Sequence, residues 1–256
     1  GVTLAQHCEV TSLTSGAAMN ECCCSADMGV PGWPAIAEEM MVSRDIELVR
    51  LTGARVHFLH LSTARSVDLV RGAKADGLPV TAEVTPHHLS LTEEMLTGFD
   101  PVYKVNPPLR SVHDIRALKI GLVDGTIDAI ATDHAPHARR DKELPLDQAP
   151  PGMLGLETAL GVVLAELDMD LPEIVALLST NPATIAGIAH HHGRDLAPLA
   201  PANLCVFDPQ LRWQVDLGRL ASKSTNTPFV NHNLRGKVRH TVFRGDAVVI
   251  DGEAQR

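Results

Sequence analysis

The chain has 256 residues, 45% of them hydrophobic, which is enough for a real core and excludes a disordered chain. Its 22 basic and 31 acidic residues give a net charge of -9 without a long basic run, which argues against nucleic acid and membrane surfaces as partners. No apolar stretch reaches the length of a membrane span, and no signal peptide is visible; the five Cys, an odd number, are expected as reduced thiols in the cytoplasm.

In chain order, strand-like and helix-like segments alternate, the pattern of βα units around a parallel sheet. Residues 2–6 predict a short strand ending at His7-Cys8-Glu9. Residues 12–32 read as a loop rich in Ser, Gly, Ala and Cys. Within it Cys22, Cys23 and Cys24 are consecutive, and neighbouring side chains diverge too far to close on one metal. Residues 34–52 predict a helix with Pro near its start. A strand at 55–59 ends at His60-Leu61-Ser62, a helix at 64–75 stops at Gly77, and a strand at 79–84 ends at Thr85-Pro86-His87-His88. For His87 and His88 a hydrogen-bonding role is favoured over a metal role.

Lys104 to Arg110 cannot be helical, because two prolines follow Asn106. Residues 111–123 predict a helix with a Ser start signal. The apolar run 127–132 predicts a fourth strand, running into Asp133-His134-Ala135-Pro136-His137. Residues 138–151 form a long, charged, Pro-containing loop, of a kind that often covers an active site. Helices follow at 156–167 and 171–179, and Asn181-Pro182 starts another. His190, His191 and His192 read as a solvated turn. From about Leu196 the pattern changes to short strands at 204–207, 213–215, 238–243 and 247–250. Four strand–helix units before this β appendage are half of what a closed barrel needs.

His7, His60 and Asp133 each stand at the C-terminal end of an expected strand, where α/β barrels carry their chemistry. Strand ends lie about 5 Å apart, so the three can converge on one ion. Neutral imidazole and carboxylate are suitable zinc ligands, and zinc makes hydroxide available near neutral pH. The plain alternative for Asp133 to His137 is a polar, Pro-stiffened loop.

Together these residues resemble the amidohydrolase superfamily and, within it, the zinc-dependent bacterial dihydroorotases. The matching segments include Gln6-His7-Cys8-Glu9, Ala37-Glu38-Glu39, His60-Leu61-Ser62, the stretches 81–89, 104–110 and 124–137, Gly155-Leu156-Glu157-Thr158 and the tail 222–229. The resemblance implies an α/β fold: the second half of a TIM-like (β/α)8 metallo-dependent hydrolase barrel over residues 1–195, then part of a small C-terminal β-sandwich over 196–256. It implies that His7 and His60 bind zinc, one or two ions in the full-length protein, and that Asp133 is both ligand and general acid/base. Asn106 and His137 would hold the substrate ring and its carboxylate, with backbone contacts from Pro151 and Gly152. The implied reaction is reversible closure of N-carbamoyl-L-aspartate to L-dihydroorotate in pyrimidine biosynthesis, by zinc-activated hydroxide.

Departures accompany the match. The family's His-x-His pair, its bridging carboxylate or carboxylated lysine and a substrate-binding Arg are absent; the resemblance puts them ahead of Gly1, so the segment alone is expected to be inactive. Val10 stands where Asp is usual. Two rival readings remain: a non-catalytic relative that scaffolds aspartate transcarbamoylase, and another cyclic amidase such as an allantoinase or hydantoinase. The Val105-Asn106-Pro107-Pro108 form favours dihydroorotase over these last. The expected partner is a small molecule, and self-association or association with aspartate transcarbamoylase is the assembly the reading allows.

Overall fold

Two-residue alternation along the strands sets the architecture of residues 2–255, the part of the chain that this computed structural model describes. β1 (Thr3–Gln6) leads into α1 (Thr11–Thr14) and a small parallel ribbon of β2 (Met19–Asn20), which precedes α2 (Cys23–Met28), and β3 (Gly32–Trp33). Then come α3 (Ile36–Thr52), β4 (Arg55–Phe58), α4 (Ala64–Ala75), β5 (Val80–Val84), α5 (Pro86–Ser90), α6 (Val112–Val123) and β6 (Ala129–Ile130). The central sheet is parallel, in the order β1-β4-β5-β6.

Val56, Phe58, Val80, Ala82 and Val84 bury one face of this sheet against Val42, Ile46 and Val49 of α3, Val67 and Val70 of α4, and Leu118 and Leu122 of α6. The intervening residues make a polar face. His57 Nδ1 lies 2.8 Å from Thr81 Oγ1, and His57 Nε2 lies 3.0 Å from Glu83 Oε2. Helix starts follow local chemistry. Thr63 caps α4 by accepting from Ser66 N, and Ser111 and Asp114 cap α6 reciprocally.

After β6 the chain forms α7 (Arg139–Lys142), α8 (Ala159–Glu166), α9 (Leu171–Val175), a π-helical turn at Ala176–Thr180 and α10 (Asn181–Ile185). A second sheet, antiparallel, follows: β7 (Leu204–Gln214), β8 (Asn233–Phe243), β9 (Asp246–Ile250) and β10 (Glu253–Ala254), in the order β10-β9-β8-β7. It packs on α8 through close backbone approaches, since a Cβ on Gly161 would lie 2.9 Å from Leu234 Cβ. Gly1 and Arg256, the outer ends of the two units expected from sequence, lie outside the described residues.

Several elements differ from expectation. The Cys-rich loop holds α1, α2 and the ribbon, and the Cys22 N–H opens α2 by donating to Ser25 Oγ at 3.0 Å. The fourth strand starts only at Ala129, because the Asp128 carboxylate accepts the Ala82 N–H (2.8 Å) that would otherwise be donated to a ladder carbonyl. Lys74 Nζ neutralises that carboxylate at 2.7 Å. The strands expected at 204–207 and 213–215 are one strand, bent by register shifts at Val206/Phe207 and Asp208/Arg212.

Gly236 has φ +88°, and a Cβ there would collide with Leu164 Cδ1 of α8. Gly236→Ala is expected to cost about 2 kcal/mol or more, read as a lower urea midpoint at unchanged slope.

Candidate active site

β1 and β4 are parallel neighbours with Gln6 opposite Phe58, so the residues after them emerge side by side. His7 Nδ1 lies 3.0 Å from His60 Nε2, with the rings edge to face at 73°. His60 is 8% exposed, has φ +32° and sits in a loop pinned from both sides, by Leu59 N to Gln6 O (3.0 Å) and Leu61 N to Glu83 O (2.9 Å). A left-handed non-glycine residue held this firmly is a mark of a functional site. Burial, then the neighbouring His7, lowers the pKa of His60, which favours the neutral imidazole that binds metals. His60 Nδ1 is buried without a hydrogen-bond partner.

Glu9 completes this group. Its Oε2 lies 3.0 Å from His7 Nε2 and accepts from Asn106 Nδ2 at 3.1 Å; its Oε1 accepts from the Thr14 hydroxyl. Burial alone would raise the Glu9 pKa, but the hydrogen bonds from Thr14, His7 and Asn106 outweigh it and hold the carboxyl below its ordinary value. A carboxylate only accepts, so the proton of a neutral His7 sits on Nε2 and the lone pair of Nδ1 faces His60. Two imidazole nitrogens 3.0 Å apart, with an orphaned ring nitrogen behind them, fit a metal ion in donor chemistry.

Asp133 follows β6, two strands from β4, with φ +44° and an exposed side chain. It lies close enough to favour the protonated form of His60. Among the described residues no three His, Cys, Asp or Glu side chains converge tightly enough to hold a metal. The structure thus brings His7 and His60 into contact and leaves Asp133 on the same rim, outside that contact.

His137, Pro151 and Gly152 form a second group. His137 Nε2 lies 2.9 Å from Pro151 O. Ala135 N donates to Met153 O at 3.0 Å, and Gly152 N donates to Lys104 O at 2.8 Å. Gly152 has φ +131°, and a Cβ there would lie 2.6 Å from Ala135 Cβ and 2.8 Å from His137 Nε2, so only glycine fits. Asn106 belongs to the Glu9 group, and its Oδ1 is buried without a partner.

Four residues that sequence reasoning did not single out organise the site. Asn226 Oδ1 accepts from His137 N (3.2 Å), while its Nδ2 donates to Ala135 O (2.9 Å) and Gly152 O (3.2 Å). Lys142 Nζ donates to Pro150 O and Gly152 O, both at 3.0 Å, and to Lys104 O at 3.5 Å. Glu38, 2% exposed, accepts from Ser62 N at 3.1 Å, Thr63 N at 3.2 Å and the Ser62 hydroxyl, fixing the loop after His60. Arg110, also 2% exposed, donates to Ser62 Oγ (3.1 Å), Asn20 Oδ1 (2.6 Å) and Trp33 O (2.9 Å). Asn226 and Glu38 stand inside segments that carry the family resemblance, but nothing in their spacing points to these partners. A Lys in a charged loop reads by default as solvated.

His87 and His88 are buried on α5 rather than at a strand end. His88 Nδ1 lies 2.7 Å from Thr85 Oγ1 and Nε2 lies 3.1 Å from Pro107 O, and burial pushes the ring down to about 3. The His190 and His191 side chains are exposed.

Residues 32–248 match the amidohydrolase family. A dihydroorotase of Streptomyces coelicolor is 50% identical over 254 residues, covering 98% of this chain and 59% of that protein. One of Mycobacterium tuberculosis is 46% identical over 257 residues, covering 99% and 60%. Among solved structures, the L-hydantoinase (dihydropyrimidinase) of Arthrobacter aurescens superposes with a TM-score of 0.86 at 27% identity, over 99% of this chain and 58% of that one. A D-hydantoinase (dihydropyrimidinase) from Thermus sp. gives 0.85 at 23%, over 99% and 58%, a likeness of fold alone. The chain therefore spans about 59% of the length of the curated relatives it matches.

Burial, then the nearby Lys104, pushes Lys142 down to about 8, with Asp100 opposing. Between about pH 8 and the ordinary lysine value near 10.4, the unfolded chain holds a proton that the folded one has lost, so this group adds stability as pH rises through that window. In urea titrations the wild type is expected to gain stability from pH 7.5 to 10 relative to Lys142→Met. Parallel pH curves for the two proteins would contradict this.

Proposed function

The chain belongs to the amidohydrolase family, and from that premise we propose that the complete protein is a dihydroorotase, interconverting N-carbamoyl-L-aspartate and L-dihydroorotate in pyrimidine biosynthesis. The observation that carries the reading is the His7–His60 pair, its tautomer set by a carboxylate that also holds Asn106. Likeness to dihydroorotases at 46–50% identity along nearly the whole chain supports it. The hydantoinase superpositions speak to a shared fold and leave the substrate open.

Members of this family generally bind metal. We assign zinc here, held by His7, His60 and Asp133 together with groups from the rest of the complete protein. Bound zinc would supply an acidified water for attack on the ring amide carbonyl. Asp133 would hold the proton released on attack at the ring carbonyl and return it to the departing ring nitrogen. In the closing direction the same carboxylate would take the carbamoyl N–H proton and give it to the departing hydroxide, which leaves as water. Asn106 offers its unpartnered Oδ1 to a ring N–H. His137 has Nε2 engaged by Pro151 O, which leaves Nδ1 as the ring position for the substrate carboxylate. The backbone of Pro151 and Gly152 is assigned to contact the ring, with the absent Gly152 side chain making room for Ala135 and His137.

The unit boundary is proposed near residue 196, between α10 and β7, where parallel connectivity gives way to antiparallel. No described helix is long and apolar enough to cross a membrane. A cytoplasmic site of action is proposed on the five free Cys. The small-molecule substrate is the partner this reading requires; association with a second copy or with aspartate transcarbamoylase is a question for size measurements on the complete protein.

Assays of the complete protein with dihydroorotate, hydantoin and allantoin test the proposal. Dihydroorotate is expected to be the preferred substrate, with activity lost to a chelator and restored by zinc. Hydantoin turnover without dihydroorotate turnover overturns it. Asp133→Asn is expected to lower kcat by about 10²–10⁴-fold with the fold intact, and His137→Ala to act mainly on KM.

A further inference from the structure

We propose that Glu9 is a positioning residue that couples the metal-binding imidazoles to the substrate-binding amide and so sets which side of that amide the substrate meets. The inference rests on the functional reading above and extends it to a residue that the reading does not use. One oxygen, Oε2, meets His7 Nε2 at 3.0 Å and Asn106 Nδ2 at 3.1 Å, although those two residues are 99 positions apart in sequence. The other oxygen is taken by the hydroxyl of Thr14, which is itself buried on α1. Three donors from three separate segments thus converge on one carboxylate.

Each contact has a directional consequence. Because the carboxylate can only accept, the His7 proton is held on Nε2 and the Nδ1 lone pair is aimed at His60. For the same reason the Asn106 NH2 must be the half that faces Glu9, which turns Oδ1 the other way. That oxygen is buried and has no partner. An acceptor held in this orientation selects a ligand with an N–H donor, such as the ring amide of a cyclic amide, and rejects an analogue alkylated at that nitrogen. A carboxylate that orients a metal-bound imidazole is commonly worth 10–100-fold in metal affinity. Sharing that carboxylate with Asn106 means that its removal loosens metal and substrate together.

The test uses the complete protein with Glu9→Leu, Glu9→Gln and Thr14→Val. Zinc affinity is read by competition with a chromophoric chelator, the dihydroorotate KM by steady-state kinetics, and the His7 tautomer by ¹⁵N NMR of the metal-free protein. Glu9→Leu is expected to weaken zinc about 10–100-fold, to raise KM about tenfold or more, and to turn a pure Nε2–H tautomer of His7 into a mixture. Glu9→Gln keeps an amide oxygen for both donors and is expected to fall between Glu9→Leu and the wild type on all three readouts; it also serves if Glu9→Leu folds poorly. Thr14→Val, which removes only the hydroxyl on Oε1, is expected to leave the His7 tautomer unchanged. An unchanged tautomer in Glu9→Leu, or a loss confined to zinc or to KM alone, overturns the coupling. A wild-type protein that holds His7 as Nε2–H but turns over no dihydroorotate would overturn the functional reading and leave the role of Glu9 standing.

Discussion

Parallel pairing of β1 with β4 is the constraint on which the site depends. With Gln6 opposite Phe58, the next residues leave the sheet at the same level, and two imidazoles 53 positions apart come within 3.0 Å. A shift of register by one residue would turn one ring to the other face. The register is held by burial. Val56 and Phe58 face the helices, and the apolar face they join cannot move into water without loss. The same alternation leaves His57, Thr81 and Glu83 on the opposite, polar face, away from the helical layer.

Carboxylates withdrawn from water, Glu38 fully and Glu9 in part, translate that register into side-chain geometry. A charge removed from water is tolerable only where hydrogen bonds replace its hydration. Glu38 meets this with backbone and hydroxyl donors from Ser62 and Thr63, and Arg110 ties the same Ser62 to the ribbon. Glu9 meets it with His7, Asn106 and Thr14. In both cases the donors come from different elements, so satisfying one carboxylate fixes several segments at once. The cost of burying the charge is recovered as preorganisation around the imidazoles.

The second group obeys the same logic with the signs reversed. Lys142 is a buried cation surrounded by carbonyl oxygens, and Asn226 supplies both a donor and an acceptor across the same gap. Together they fix the Gly152 carbonyl and hold His137 against Pro151. A chain with net charge -9 thus gathers two buried lysines, Lys104 and Lys142, around this region. The global charge therefore says little about which ligand charge the site prefers.

Local sequence determined much of this protein. The helix at 64–75 was readable to the residue, because Thr63 caps it and a glycine follows it closely. The parallel order of strands followed from the βα rhythm, and His7 and His60 could be expected to meet because each stands just after an expected strand. Resemblance to a family added Asn106, His137, Pro151 and Gly152 as candidates. Tertiary structure decided the rest. The fourth strand began late because the Asp128 side chain, held by Lys74, took the Ala82 N–H at its N-terminal end, and the Cys run became a helix start. The contacts of Glu9 with Asn106, of Lys142 with Gly152 and of Asn226 with His137 join segments with no shared periodicity. Hydropathy and spacing report which face a residue buries; they carry no information about which distant donor satisfies a buried acceptor, and that pairing exists only once the chain has folded.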